Sequence, residues 1–454
     1  MDTIALLSHA SPDAIVAYRS GRHVTVREFL QDAARVAEQL PGAEHVLNVC
    51  TDRYQFTVGL AACLMSKRIS LLPSTHTPQV IAQLADFAPD AFCLTDDARC
   101  EIELPQVFYP DLFAGGAKAD RAAPVEVPQI PVTQLAAIVF TSGSTGTPVP
   151  YRKTWGLLAR CVINGAPQLG LADGRSHALV GTVPGQHMYG FESTVLLALL
   201  SGNALSAERP FYPADIAADI ERVPRPRVLI TTPIHLRTLL GSEIWFPAVD
   251  LVMSATAPLS RELAQEVEDR YGAPLLEIYG STETGQIAIR RTAHTAAWRL
   301  WPGVRLHESN GQVFAQGGHV EQLTPMCDVI EITGDDEFFL LGRTADLVNV
   351  AGKRSSFGYL NAQLNAIPGV LDGAFFLREE LAGSTGVARL GAVVVAPGLN
   401  AAGLTEQLRQ LIDPVFLPRP LLLVEQLPRN ATGKLPQSAL QGFADQQLRL
   451  NESR

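Results

Sequence analysis

No stretch of this chain reaches the roughly 18 uninterrupted apolar residues that a membrane-spanning helix needs, so no transmembrane segment is expected. The N-terminus, MDTIALLSHASPDAIV, lacks a basic region followed by a long apolar run, so no secretory signal is read there. Cysteine is sparse. Its six occurrences (Cys50, Cys63, Cys93, Cys100, Cys161, Cys327) include no CxxC pair, which speaks against a zinc site. Scattered thiols without an export signal suit a reducing cytoplasm, with most of them filling core space. An excess of positive charge is also lacking: 36 Lys and Arg against 46 Asp and Glu leave a net charge of −10. That balance argues against a nucleic-acid partner. Charged residues are only 18% of the chain and hydrophobic ones 47%, a globular rather than a disordered composition. At 454 residues the chain is too long for one ordinary core, so two or more domains are expected. Internal repeats and low-complexity tracts are absent.

What is present is an alternation of two periodicities. Val24–Leu40, Phe56–Arg68 and Val80–Phe87 space their apolar residues as helices do, and His45–Cys50, Ile69–Pro73 and Ala91–Asp96 read as buried strands between them. Such alternation predicts a parallel sheet with helices on its faces. The Pro-, Ala- and Gly-rich stretch 110–134 reads as a surface connection. Strand, small-residue turn and helix then recur through Thr154–Leu169, His177–Pro184, Arg227–Leu240 and Val249–Ser260. Ligands of such open sheets bind beyond the carboxyl ends of the strands. From about Gly303 the segments VRLHES, GQVFAQGG and FFLLGR predict a small antiparallel sheet, and a compact α+β pattern follows Arg343. The expected fold is α/β: a large N-terminal domain over residues 1–344 and a small mobile α+β C-terminal domain over 345–454.

One stretch carries chemistry on its face. A buried run, Ala136–Phe140, enters FTSGSTGTP, Phe140 to Pro148. Glycines 143 and 146 let the backbone wrap an anion, and Thr141, Ser142, Ser144, Thr145 and Thr147 add hydroxyl donors. It is not a Walker A loop, because no Gly-Lys-Ser/Thr follows at the required spacing. Taken alone, a polar surface turn after a strand is the default reading of it.

Three further motifs follow in order: IYGSTETG (Ile278–Gly285), LGRTADLVNVAGKR (Leu341–Arg354) and LPRNATGK (Leu427–Lys434). Together the four resemble the adenylate-forming superfamily of acyl- and aryl-CoA synthetases, peptide-synthetase adenylation domains and luciferases. The resemblance implies activation of a carboxylic acid by ATP and Mg2+ to an acyl-AMP, then thioester formation on CoA or a phosphopantetheine arm. Both reacting groups are negative, so the site must neutralise charge and hold them in line. By resemblance, Thr141 to Gly146 cradle pyrophosphate, Glu283 ligates magnesium, Thr282 touches the α-phosphate, and Tyr279 and Gly280 line the adenine. Asp328 is expected at the ribose with Arg343. The tempting Asp335 and Asp336 fall in a hairpin turn instead, where Asp and Gly need no functional explanation. Lys434 is expected to neutralise charge between carboxylate and phosphate. His187, Tyr189, Phe191, Ser254 and Ala255 are expected around an acyl pocket, although a core histidine with aromatic packing is an equal reading of HMYGF. Gly352 matches the pantetheine path, and Ala345 and Asp346 the hinge.

The sequence departs from the family pattern twice. Val149 stands where a lysine usually follows the loop proline, with Lys153 nearby as a candidate replacement, and Ala345 stands for the first hinge aspartate. Small and apolar residues around that pocket suit an apolar or aromatic acid, and the resemblance implies CoA or an acyl carrier protein as the acceptor. Short members of this type resemble those of aryl-polyene and related polyketide or fatty-acid pathways. A reading from another class is a nucleotide-binding protein with weakened catalysis, against which the retained Glu283, Asp328 and Lys434 argue.

Overall fold

The structure, a computed structural model, describes residues 2–73, 75–113, 125–142, 148–343, 347–350, 353–378, 389–430 and 433–452. Two large sheets organise it. The first has six strands in the order Pro148–Thr154, Leu135–Ser142, Ile69–Leu72, His45–Asn48, Phe92–Thr95, Gln106–Phe108. All neighbours are parallel except the hairpin that flanks the phosphate-loop candidate. The second has eleven strands. Its parallel centre runs Leu275–Ser281, Leu251–Ser254, Arg227–Thr231, Ala178–Gly181, Ala204–Ser206, Ile15–Arg19, and antiparallel strands extend both ends.

The helix Arg53–Met65 shows how the layers join. Its residues from Arg53 to Leu64 are all buried, because it lies in the core with no solvent face. Asp52 caps it by accepting from the Gln55 amide at 3.0 Å. Arg53 is 3% exposed. Its guanidinium donates to the carbonyls of Gly181, Val183, Ser206 and Glu208 at 2.6–3.0 Å. One buried cation thus ties two strand ends of the large sheet to this helix. A single apolar cluster draws on both sheets, with Leu72, Phe92 and Val139 from one and Leu179, Val228 and Ile287 from the other.

Most expected elements exist, with shifted ends. The first helix spans Val26–Gln39 and opens on a capping box between Thr25 and Glu28. Ahead of it lies an unanticipated hairpin, Ile15–Arg19 with Arg22–Thr25. Its turn residues, Ser20 and Gly21, both have positive φ (47° and 75°), as two-residue hairpin turns require. A second correction concerns FFLLGR. The small antiparallel sheet is Arg305–Ser309, Gln312–Gly317, Val320–Pro325, whereas Glu337–Arg343 pairs with Trp298–Leu300 and so belongs to the eleven-stranded sheet.

Residues from Phe357 onward pack round cores of their own. One is built on Leu360, Phe375, Val394 and Leu408, the other on Phe376, Leu422, Leu440 and Ala444. Among the described residues no helix is long and apolar enough to cross a membrane.

Candidate active site

The carboxyl end of Leu275–Ser281 leads into the turn of the second motif. Tyr279 is nearly buried, its ring against Trp298 (centroids 5.4 Å apart) and Phe338 (5.5 Å). Its hydroxyl donates to Asp328 Oδ2 at 2.5 Å. Asp328 and Arg343 are direct partners across the hairpin Asp328–Ile332 with Glu337–Arg343. The tyrosine and the arginine backbone of two separate motifs, and an aspartate outside them, therefore meet on one side of the eleven-stranded sheet. Asp335 and Asp336 lie exposed at the far, turn end of that hairpin.

The turn itself is closed by its own hydroxyls. Ser281 N donates to Thr284 Oγ1 and Thr284 N to Ser281 Oγ, both at 3.2 Å. Gly280 has no room for a side chain, since a Cβ there would meet the Gly285 carbonyl oxygen at 2.2 Å. Thr282 and Glu283 stand half-buried at the tip.

Thr141 is half-buried and pairs with Val149, and Ser142 pairs with Pro148. Gly143, Ser144, Thr145, Gly146 and Thr147 lie outside the described residues, as do Ala345, Asp346 and Gly352. Val149 is 40% exposed. Tyr151 and Lys153 follow it on the same face. Tyr151 faces the Glu283 carboxylate, and burial first and then that carboxylate raise its pKa. Lys153 does not supply the absent loop cation. It is 6% exposed, and its Nζ donates to the Glu283 carbonyl at 2.9 Å. Four residues of strand, about 13 Å, separate it from position 149. Burial lowers the Lys153 pKa, and Glu192, Cys161 and Glu283 counter this.

Lys434 arrives from the C-terminal part. Described residues beside it are anchored: Arg429 forms a two-pronged pair with Asp372 at 2.6 and 2.7 Å and also donates to the Gly433 carbonyl at 3.0 Å. The Lys434 amide donates to Asn430 Oδ1 at 2.9 Å. Gly433, at φ 76°, approaches Ile234 and Thr232 so closely that a Cβ would meet Ile234 Cγ2 at 2.8 Å. This seats Lys434 near His187. Burial first, then the charges of Lys434, His76 and Arg209, push His187 down to about 4.

Beyond this basic mouth, strand ends converge. Thr182 and Thr231 share a hydrogen bond at 2.9 Å, Ser254 is the register partner of Thr231, and His235 Nδ1 lies 2.9 Å from Thr232 Oγ1. Burial lowers the His235 pKa to about 4, so the ring is neutral at physiological pH. Three buried polar atoms here have no partner: Tyr189 Oη, Ser254 Oγ and His235 Nε2. Ala255 is buried just past the strand end. Phe191, at the start of the helical stretch Phe191–Leu196, is fully buried and packs edge-on against Phe56 with ring centroids 6.4 Å apart.

Sequence reasoning did not find Tyr151, the interior position of Lys153, or the convergence of His76, Arg209 and His187. The first two had a signal in the period-two spacing 149, 151, 153. The third depends on tertiary approach and had none.

Comparison with known proteins agrees with this arrangement. The family described as AMP-binding enzyme matches residues 7–316. A 4-coumarate–CoA ligase of Rhodobacter capsulatus is 34% identical over 278 residues, covering 61% of this chain and 68% of that protein. Among solved structures, ATP-bound MatB from Rhodopseudomonas palustris superposes with TM-score 0.81 at 19% identity, covering 96% of this chain and 97% of that one. Apo MatB scores 0.71. The o-succinylbenzoate CoA synthetase of Bacillus subtilis with its acyl-adenylate scores 0.80 at 17% identity, covering 94% and 95%. A family match over well more than half the chain, joined to a fold shared over nearly its whole length, makes this protein a member of the AMP-binding, adenylate-forming enzyme superfamily.

Proposed function

We propose that this enzyme activates a carboxylic acid with ATP and passes the acyl group to a pantetheine thiol. A carboxylate oxygen attacks the α-phosphorus and pyrophosphate leaves. The thiolate sulfur then attacks the acyl carbonyl, and AMP leaves with the carbon–oxygen electron pair. The observation that carries this reading is the seating of Lys434 beside His187, over the same sheet whose edge holds Tyr279, Asp328 and Glu283. The two cations of this mouth, Lys434 and Arg209, draw in a carboxylate and offset charge as it meets phosphate, while burial keeps the His187 and His76 rings neutral between them.

In this reading Asp328 and Arg343 hold the ribose, Tyr279 and Gly280 border the adenine, Thr141 to Gly146 cradle pyrophosphate, and Thr282 contacts the α-phosphate. Glu283 is the one protein carboxylate on Mg2+. Among the described residues no group of three or more His, Cys, Asp or Glu could hold a metal. A hard ion fits here by taking its remaining oxygens from phosphate and water. It neutralises phosphate charge when bound. Residues 1–344 form the adenylation domain and 345–454 a cap, with the hinge at Ala345 and Asp346 and Gly352 bordering the thiol's path.

The acid belongs to the class with a hydrogen-bonding substituent remote from its carboxylate. Tyr189 Oη, Ser254 Oγ and His235 Nε2 await such a group, since buried polar atoms are ordinarily paired. The acid named for the Rhodobacter ligase, 4-coumarate, has this form. CoA is the acceptor of that ligase by name, and an acyl carrier protein is the second candidate here.

Acid-dependent ATP–pyrophosphate exchange over a panel of acids tests the reading, with CoA and a holo carrier protein then supplied separately. Exchange with para-hydroxylated aromatic acids above their unsubstituted parents is expected. Nucleotide binding without exchange on any acid would leave only a binding protein.

A further inference from the structure

Behind the Ser281–Thr284 turn lies a buried polar cluster that none of the four motifs contains. Lys153, Glu192, Cys161 and His319 are 6%, 2%, 1% and 3% exposed. The Cys161 thiol donates to Glu192 Oε1 at 3.2 Å. Both ring nitrogens of His319 lack partners. Gly285, at φ 72°, roofs this cluster: a Cβ there would meet Glu192 Oε1 at 2.8 Å and Cys161 Sγ at 3.3 Å. Glu192 enters from a π-helical stretch, Phe191–Leu196. Such widened turns recur at functional sites.

An ammonium is costly to bury, and a methionine would fill the same volume without that cost. A purely structural lysine would also spend its donors on the acidic group of its own cluster. Lys153 instead reaches the carbonyl of Glu283, at 2.9 Å. Tyr151, two residues earlier on the same strand face, is turned toward the carboxylate of that residue. Strand Pro148–Thr154 therefore addresses both ends of Glu283, the backbone through Lys153 and the side chain through Tyr151. The same strand leaves the phosphate-loop candidate through Pro148.

We propose that Lys153 and Tyr151 are positioning residues that fix the Glu283 carboxylate for the metal–nucleotide, with Glu192 as the buried counter-charge that keeps Lys153 in place. This rests on the reading of Glu283 as the metal-bearing carboxylate. The peptide after Glu283 cannot rotate without breaking a charge-assisted hydrogen bond. The carboxylate thus meets the ion with its orientation already set, as outer partners do for metal ligands elsewhere.

The test is Mn2+ binding to the full-length protein in the presence of a non-hydrolysable ATP analogue, followed by electron paramagnetic resonance. Tyr151→Phe keeps the ring and loses the hydroxyl. Lys153→Met is made together with Glu192→Gln, so that no single charge is left buried, and is compared with Glu192→Gln alone. Thermal melting reports whether each variant folds. Mn2+ affinity is expected to fall about tenfold in Tyr151→Phe and in the double variant. The Mg2+ needed for half-maximal pyrophosphate release should rise in parallel, with the KM for the acid unchanged. Wild-type Mn2+ affinity in folded Tyr151→Phe and double variants overturns the proposal. Should the double variant fail to fold, Tyr151→Phe alone decides. Glu283→Gln separates the two layers: unchanged Mn2+ affinity there refutes the reading of Glu283 itself, whereas a loss there with none in the other variants refutes only the positioning roles.

Discussion

The nucleotide side and the acid side of this site stand on the same sheet, yet they treat their polar groups in opposite ways. On the nucleotide side hydroxyls and carboxylates find each other: Tyr279 bonds Asp328, and Ser281 and Thr284 close their own turn. On the acid side Tyr189, Ser254 and His235 each keep a buried polar atom without a partner. A region satisfied by itself is preorganised for one unchanging ligand. A region left unsatisfied depends on its ligand to complete it, and rejects molecules that do not.

The contrast can be broken at several points. Lys434→Ala should cost the most, on the order of 10²–10³-fold in acid-dependent pyrophosphate release, because a charge-stabilising donor is lost. An unchanged melting temperature would show the fold intact, and near-normal release would refute its role. Asp328→Ala should raise the KM for ATP by roughly 10–100-fold, the worth of hydrogen bonds to a charged group. Asp335→Ala, at the exposed hairpin turn, should not; equal small effects would erase the distinction between the two aspartates. Tyr189→Phe should lower exchange with the hydroxylated acid about tenfold while sparing its unsubstituted parent. A uniform loss across the acid panel would make Tyr189 an ordinary packing residue.

Titration offers a smaller effect with opposing signs. Burial holds His235 and His319 at about 4, as it does His187 with help from nearby cations. Unfolded histidine titrates near pH 6.5, so the unfolded chain binds more protons between about 4 and 6.5. Their contribution is full above about pH 6.5 and is lost as pH falls toward 4. Burial raises Glu192 from 4.5 to about 7, which acts the other way. Its contribution is present below about pH 4.5 and is lost as pH rises through about 7. In thermal melts, Glu192→Gln should remove this opposing loss, so that stability rises more steeply between about pH 4.5 and 7. An unaltered profile would mean Glu192 does not titrate in this range. Smallest of all, Val149→Lys should change the KM for ATP no more than about threefold, as exposed charges do. A gain beyond about tenfold would mean the loop is starved of its cation.

These two sides also differed in how far the sequence revealed them. Tyr279, Asp328 and Arg343 lie in or beside short motifs, and the family resemblance, not spacing alone, set Asp328 apart from the two nearby aspartates. Thr182, Thr231, Ser254 and His235 come from three strands and a helix, and no local pattern says they meet. Lys153 misled for a related reason. A lysine in a strand that begins exposed reads as a surface cation, and only the packing of that strand's inner end shows it buried. Glu337–Arg343 was assigned to the wrong sheet because its true neighbour, Trp298–Leu300, has three residues and no periodicity to read. The Ser20–Gly21 turn was missed, although its chemistry alone points to a hairpin.

Gly433 acts as a spacer of zero thickness. The Lys434 turn rests on Ile234 with less clearance than one carbon atom needs. How deeply the lysine reaches toward the acid is therefore set by a missing methyl group. Any side chain there would press on the Ile234 methyl and strain a backbone held at φ 76°, so the seat of the lysine would shift without altering the charge itself.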